Sequence, residues 1–386
     1  IAFLSPPPMT ERAYWLAWAQ AHGLGPILLK RLHSHFGTMA QAWHADGAEL
    51  LEVEGIGLGG GASLIEYRQT VDPLALLASY TEQHPNFWTP ADDEYPALLY
   101  EITDPPPLLF YRGRTELIGA LGHHPAVGIV GTRRPSEYGQ RWTRRLAQQL
   151  AAHGVIVVSG LAKGVDRWAH QYTLDSQGLT IAVLGTGVDH IYPWNNRELH
   201  ERIAQDGLLL SEHPNGTPPD RGHFPRRNRI IAGLSRAVVV AEAPARSGAL
   251  ITAQLANDYG RDVFAVPGSL DHPNSIGCLE LINQGAQMIL TDTTLITALG
   301  QLPQIGNDAL AKPRDAGKGD RAAPTQVPSL PAAMAEVLAN VTHEPVSLDR
   351  LVQDLNQPTG TVLATLVQLE LMGLVTQLPG MRYQRD

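Results

Sequence analysis

The stretch 126-AVGIVGTRRPSEYGQRWTRRLAQQLAAHGVIVVSG-160 decides the fold. It runs from an apolar, β-branched segment through a glycine-led turn into a helix-period segment, then back to a second apolar run. Short apolar runs of this kind read as strands buried on both faces. A helix-length crossover between two of them makes the strands parallel. The scheme repeats outward. TIAVLGTG (180–187), LLLSE (208–212), AVVVAEA (237–243) and VFAVPG (263–268) supply further strands. Helical segments around NRELHERIAQDG and SGALITAQLANDYG lie between them.

The expected fold class is therefore α/β, a Rossmann-like doubly wound, mostly parallel sheet over residues 123–300. Residues 1–75 read as a small helical domain of the SAM or helix–hairpin–helix kind, with glycine turns at 22-HGLGP-26 and 54-EGIGLGG-60. Those turns either free backbone N–H groups for a phosphate or simply end helices. Residues 76–122 read as a Pro-rich connector leading into the core, and 301–329, rich in Gly, Pro, Asp and Lys, as a flexible linker. Three helices and a Pro-Gly hairpin over 330–386 describe a winged helix, with Ser347 as an N-cap.

The chain has 386 residues and a formal charge of −9, which argues weakly against a nucleic-acid partner. The distribution of charge says otherwise. Residues 123–300 hold 16 Lys/Arg against 15 Asp/Glu, whereas the flanks hold 13 against 23. Five arginines fall within 221–236 alone. The single cysteine, Cys278, excludes internal disulfides and cysteine-rich metal sites and reads as a small buried residue. No run of 18 apolar residues occurs, and the first residues lack a basic n-region and a cleavage pattern, so a cytoplasmic protein without a membrane segment is expected.

In a doubly wound sheet, ligands bind outside the carboxyl ends of the strands. The loops expected there are 131-GTRRPSEYG-139, 159-SGLAKGVD-166, 185-GTGVDHIYPWNN-196, 222-GHFPRRNR-229 and 242-EAPARSG-248. Glycines let backbone N–H groups approach an anion, helix N-termini favour negative charge, and Arg or Lys adds charge-assisted bonds. No G-x-G-x-x-G follows the first strand, and no P-loop, nucleophile elbow or H-E-x-x-H is present, so no cofactor or metal is expected. Asp166 and Glu242 read as caps or arginine partners rather than acid–base groups. Arginines together with Phe224, Tyr192 and Trp194 suggest a groove for a polyanion with a few stacking rings.

FPRRNRIIAGLS (224–235), GTRRPSEYG (131–139), SGLAKGVDRWAH (159–170), VLGTGVDHIYPWNN (183–196), EAPARSGALITAQLANDYGRDVFAVPG (242–268) and SIGCLELINQGA (275–286) closely resemble the signature of the DNA-processing protein A family (DprA, also called Smf). The resemblance implies a non-enzymatic protein that protects incoming single-stranded DNA and loads the RecA recombinase in natural transformation, acting as a homodimer. It also implies DNA or phosphate contacts at Gly131, Arg133, Arg134, Ser159, Gly160, Lys163, Gly164, Phe224, Arg226, Arg227, Asn228, Arg229, Ser247 and Gly248. Arg133 and Lys163 are the expected phosphate anchors, with Gly131 and Gly160 supplying N–H groups. Arg227 or Arg229 could instead brace the loop against Asp166 or Glu242. A rival reading is a Rossmann-like phosphoribohydrolase, but 267-PGSLDHPN-274 lacks the glycines and glutamate of that motif. The helix 361-TVLATLVQLELMG-373 has no basic residue, which favours protein contact for the winged helix over DNA reading.

Overall fold

The computed structural model describes residues 8–121, 124–291 and 293–300, together with 334, 337–338, 340–342, 346–355, 357–371, 375–378 and 382–385. The chain divides into two compact units, 1–311 and 312–386. The linker expected at 301–329 lies outside the described residues.

The first unit opens with six helices: α1 (Pro8–Gln20), α2 (Pro26–Phe36), α3 (Met39–His44), α4 (Gly47–Leu51), α5 (Leu58–Thr70) and α6 (Pro73–Gln83). Gly25 and Gly57, from the two glycine turns, stand at the N-caps of α2 and α5. Trp15, Trp18, Leu32 and Met39 are buried in a core of this helical region. It is joined to the rest, because Leu16 and Leu77 pack in a second core with Phe87, Phe110 and Ala182 of the sheet.

A nine-stranded sheet follows, in the order β1-β2-β6-β5-β4-β3-β7-β8-β9. Its strands are β1 (Phe87–Trp88), β2 (Leu109–Gly113), β3 (Ala126–Gly131), β4 (Ile156–Ser159), β5 (Thr180–Leu184), β6 (Leu208–Ser211), β7 (Ala237–Glu242), β8 (Asp262–Ala265) and β9 (Gln287–Met288). From β6 across to β9 every neighbouring pair is parallel. β2 runs antiparallel to β6, and β1 to β2. The segment read as a connector thus completes one edge of the sheet. Its strands are too short, and its prolines too many, to show as an apolar run.

The remaining helices of this unit are α7 (Ala97–Tyr100), α8 (Glu116–Ala120), α9 (Glu137–Ala152), α10 (Val165–Asp175), α11 (Arg197–Asp206), α12 (His223–Leu234), α13 (Gly248–Asp258), α14 (Ile276–Asn283) and α15 (Thr294–Ala298). Alternate strand residues go to opposite layers. Val127, Ile129, Val157 and Val239 pack with Leu146 and Leu150 of α9 and Ala169 of α10. Val130, Val158, Val183 and Val240 pack with Ile231 of α12 and Ala253 of α13. Each such valine, leucine or isoleucine side chain contributes about 1.5–3 kcal/mol by leaving water. Cys278 is fully buried in the second of these layers.

β3 is the point at which strand order reverses, since β4 lies on one side and the later β7 on the other. The β3–β7 register shifts between Val130 and Gly131, an irregularity at the carboxyl end of the pair. That is where a ligand crevice belongs in this architecture.

The second unit contains helices Leu348–Leu355 and Thr359–Leu371 and a three-stranded antiparallel sheet of Val346–Ser347, Arg382–Arg385 and Val375–Leu378. Leu351, Val362, Leu366, Val375 and Tyr383 form its core. The Ser347 hydroxyl accepts from Arg350 N at 3.4 Å, the expected N-cap.

Candidate nucleic-acid interface

The crevice at the end of β3 opens into a cavity of about 530 Å³. Its basic lining is Arg133, Arg221, Arg227 and Arg246, and its acidic lining is Asp166 alone. A smaller adjoining cavity of about 140 Å³ adds Lys163, Gly185 and Pro193. The helices that follow β3, β4 and β7 start at this end, so the positive poles of α9, α10 and α13 face the same region.

The turn carrying Arg133 and Arg134 is fastened from both sides. Thr132 N donates to Glu242 O at 2.7 Å, Val165 N donates to Thr132 O at 3.1 Å, and Arg134 N donates to Thr132 Oγ1 at 3.2 Å. Glu242 then anchors α9, accepting Ser136 N at 2.8 Å and Ser136 Oγ at 2.6 Å. Ser136 in turn caps Gly139 N at 3.2 Å. Gly164 sits at φ +85°, and a Cβ there would run into the Thr132 carbonyl oxygen and the Arg133 backbone. Only glycine lets the β4–α10 loop lie this close to the β3–α9 loop. The result is a rigid mount for Arg133, Arg134 and Lys163, all exposed.

The segment 222–229, read as a loop, forms the first turns of α12. Pro225 is tolerated there because the first helical turn has no intrahelical acceptor for its N–H. Helical geometry splits the arginines. Arg226 is exposed, whereas Arg227 and Arg229 are each 4 % exposed. Arg227 Nη1 donates to Gly160 O at 2.6 Å and also to Val183 O. It faces Asp166, whose carboxyl burial raises above the usual range against the opposing pull of Arg227 and of the Ala162 and Gly160 N–H groups. Burial likewise brings the Arg227 guanidinium down to about 10, still charged at neutral pH. Arg229 is held by Glu212 at 2.5 Å and Asp104 at 3.3 Å. Both arginines therefore brace, one toward Asp166 as expected and the other toward partners the motifs did not indicate.

The structure corrects other expectations as well. Ser159 is fully buried and donates to Ile129 O at 2.6 Å. The Gly160 N–H serves the Asp166 carboxylate, and the space a Cβ would take is filled by the Arg227 guanidinium. Gly131 closes against Val165 and the Glu242 carbonyl, a packing role. The Ser247 hydroxyl caps α13 by accepting from Ala249 N at 3.3 Å, and Gly248 faces open space.

What converges on the cavity is a basic rim with aromatic rings. Phe224 lies 5.3 Å from Tyr192, centroid to centroid, and the Arg133 guanidinium stands 6.0 Å over Phe224. Asn228 lines the wall and donates to Gly248 O at 3.3 Å. Arg246 and Arg221 line the cavity too and were not singled out from the sequence. Arg246 had a signal, its place in EAPARSG one residue before the α13 cap. Among the described residues, no cluster of three or more His, Cys, Asp or Glu could hold a metal, and no helix is long and apolar enough to cross a membrane.

A doubly wound sheet with an arginine-lined, ring-flanked crevice at its switch point defines a Rossmann-like protein with a basic crevice. Comparison with known proteins makes this specific. The family model described as DNA recombination-mediator protein A matches residues 86–300, and the DprA winged helix domain matches 321–381. The chain belongs to the DNA recombination-mediator protein A family (DprA/Smf), whose role is DNA processing. It is 47% identical to Protein Smf of Synechocystis sp., over 97% of this chain and 99% of that protein. It is 39% identical to Protein Smf of Escherichia coli, over 96% and 95%. The solved structure of DNA processing protein A from Streptococcus pneumoniae covers 74% of this chain and 97% of that one, at 36% identity and a TM-score of 0.64. A Helicobacter pylori DNA processing protein A, solved to show its single-stranded DNA binding mode, covers 55% and 95% at 36% identity, with a TM-score of 0.50.

Proposed function

We propose that this chain binds single-stranded DNA, without catalysing a reaction on it, in the crevice at the carboxyl ends of β3, β4 and β7. One observation carries the reading: four arginines line a cavity whose single carboxylate, Asp166, is already committed to Arg227 and backbone N–H groups. A polyanion supplies the missing negative charge, and Phe224 and Tyr192 offer ring faces to unstacked bases. Arg133, Lys163, Arg221 and Arg246, which line the two cavities, make the phosphate contacts together with the exposed Arg134 and Arg226, and Arg227, Arg229 and Ser159 hold the walls. The H. pylori relative, described as binding single-stranded DNA, supports the same role here. The family resemblance adds delivery of the strand to RecA, a homodimer and a cytoplasmic setting. The winged helix serves protein contact, since its helix Thr359–Leu371 carries no basic residue.

The test is fluorescence anisotropy of a labelled dT oligomer and of a duplex of equal length at matched salt. Binding that favours the single strand is expected. Equal or tighter duplex binding would contradict the reading. Hydrolysis of a nucleoside monophosphate would favour the phosphoribohydrolase class instead.

A further inference from the structure

On the outer face of α9 and α10, Arg141, Arg144 and Arg167 carry positive charge that neither the crevice nor the fold consumes. On α9, Gly139, Thr143, Leu146, Ala147 and Leu150 turn inward, which leaves Arg141, Arg144 and Arg145 exposed at i, i+3 and i+4. Like charges at these spacings work against the helix. Two arginines of α11 are paired, Arg197 with Glu201 at 3.0 Å and Arg202 with Asp175 at 2.6 Å. Among the described residues, Arg141, Arg144 and Arg167 have no ion pair. The only acidic residue of α9 is Glu137, in its first turn. On α10, Asp166 is buried and Asp175 is taken by Arg202.

Four guanidiniums of this face lie against rings. Arg141 lies 5.5 Å over Tyr138, Arg145 4.7 Å over Trp142, Arg144 5.7 Å over Tyr172 and Arg167 5.3 Å over Trp168. Trp168 and Tyr172 stack on each other at 5.4 Å and 16°. Gln140 crosses from α9 to hold the Tyr172 hydroxyl at 2.9 Å. A guanidinium laid on a ring has already lost part of its freedom, so little more is lost when it meets a phosphate. The rings are half-buried, and aromatic rings beside guanidiniums are the kind of surface on which single-stranded bases stack. The patch begins where the crevice ends, because Arg133 and Arg134 lead into α9 and Lys163 leads into α10.

We propose that this face is a second track for single-stranded nucleic acid, along which a strand leaving the crevice continues across α9 and α10. The inference rests on the crevice reading and extends it from a pocket to a path.

Two labelled dT oligomers test it, one of about 6 nucleotides, enough for the crevice, and one of about 30, enough for crevice and track. In the variant Arg141→Ala/Arg144→Ala, affinity for the short oligomer should match wild type, which also reports an intact fold. Affinity for the long one should fall by about tenfold at low salt, and the slope of log K against log salt should become shallower by about 1.4, two lost contacts on a single strand. Unchanged long-oligomer affinity and slope, with the short one binding normally, would overturn the track alone. Failure of wild type to bind the short oligomer would overturn the crevice reading and the track with it. If poly-glutamate of equal charge displaces the long oligomer as well as unlabelled dT does, the nucleic-acid assignment is overturned.

Discussion

At the scale of single residues, neighbouring positions in one motif do opposite work. Arg226 is exposed, while Arg227, next in the chain, is buried facing Asp166. Replacing Arg227 with Met leaves Asp166 buried without its counter-charge and should cost about 3–5 kcal/mol in urea unfolding. Arg226→Ala should leave the unfolding midpoint unchanged and weaken DNA binding only. A normal midpoint for Arg227→Met would contradict the bracing role. Glycines divide in the same way. Gly164→Ala forces a Cβ against Thr132 and Arg133 at a positive φ and should lose about 1–3 kcal/mol, whereas Gly248→Ala meets open space and should be close to neutral. The sequence marked both glycines and the three arginines of 226–229 as anion-binding residues, with Arg227 or Arg229 as an alternative brace. It could not separate them, because what separates them is partners far along the chain: Gly160 and Val183 for Arg227, Asp104 and Glu212 for Arg229.

At the scale of elements, the strands from β3 to β8 were legible because each is an apolar run buried on both faces, and α9 and α10 because their inward residues recur with helical period. The start of α12 was not, since Pro225 and a cluster of arginines look like a loop until the helix is seen to begin at His223. Nor were β1 and β2, whose short strands sit among prolines. The device that joins strand to helix is Glu242, at the end of β7, holding the Ser136 cap of α9. Ser136→Ala should cost about 1 kcal/mol, as other N-caps do. It should also loosen the Arg133 turn, seen as faster amide exchange at residues 132–136. Exchange as slow as in wild type would mean that Glu242 and Thr132 suffice without the cap.

At the scale of the whole molecule, the buried histidines tie stability to pH. His170 is fully buried, its Nδ1–H donating to Thr180 at 2.7 Å, and burial lowers it to about 3. His33, His200 and His213 are lowered as well, in each case mainly by burial. Below about pH 6.5 the unfolded chain takes up protons that the folded chain refuses. Stability should therefore fall as pH drops from about 6.5, with His170 alone accounting for up to about 1.4 kcal/mol per pH unit. Thermal unfolding between pH 7 and 5 checks this, and His170→Asn should flatten the curve. A melting temperature that rises on acidification would contradict the burial assignment.

Neutralisation of DNA phosphates by the rim of the β3–β4–β7 crevice is read out by a salt series. The affinity of a dT oligomer for wild type and for Arg133→Ala/Lys163→Ala is measured from low to high salt. Binding should be weaker for the variant, with a log K against log salt slope shallower by about 1.4, or about 0.7 for each lost phosphate contact. An unchanged slope with unchanged affinity would put the DNA elsewhere on the molecule.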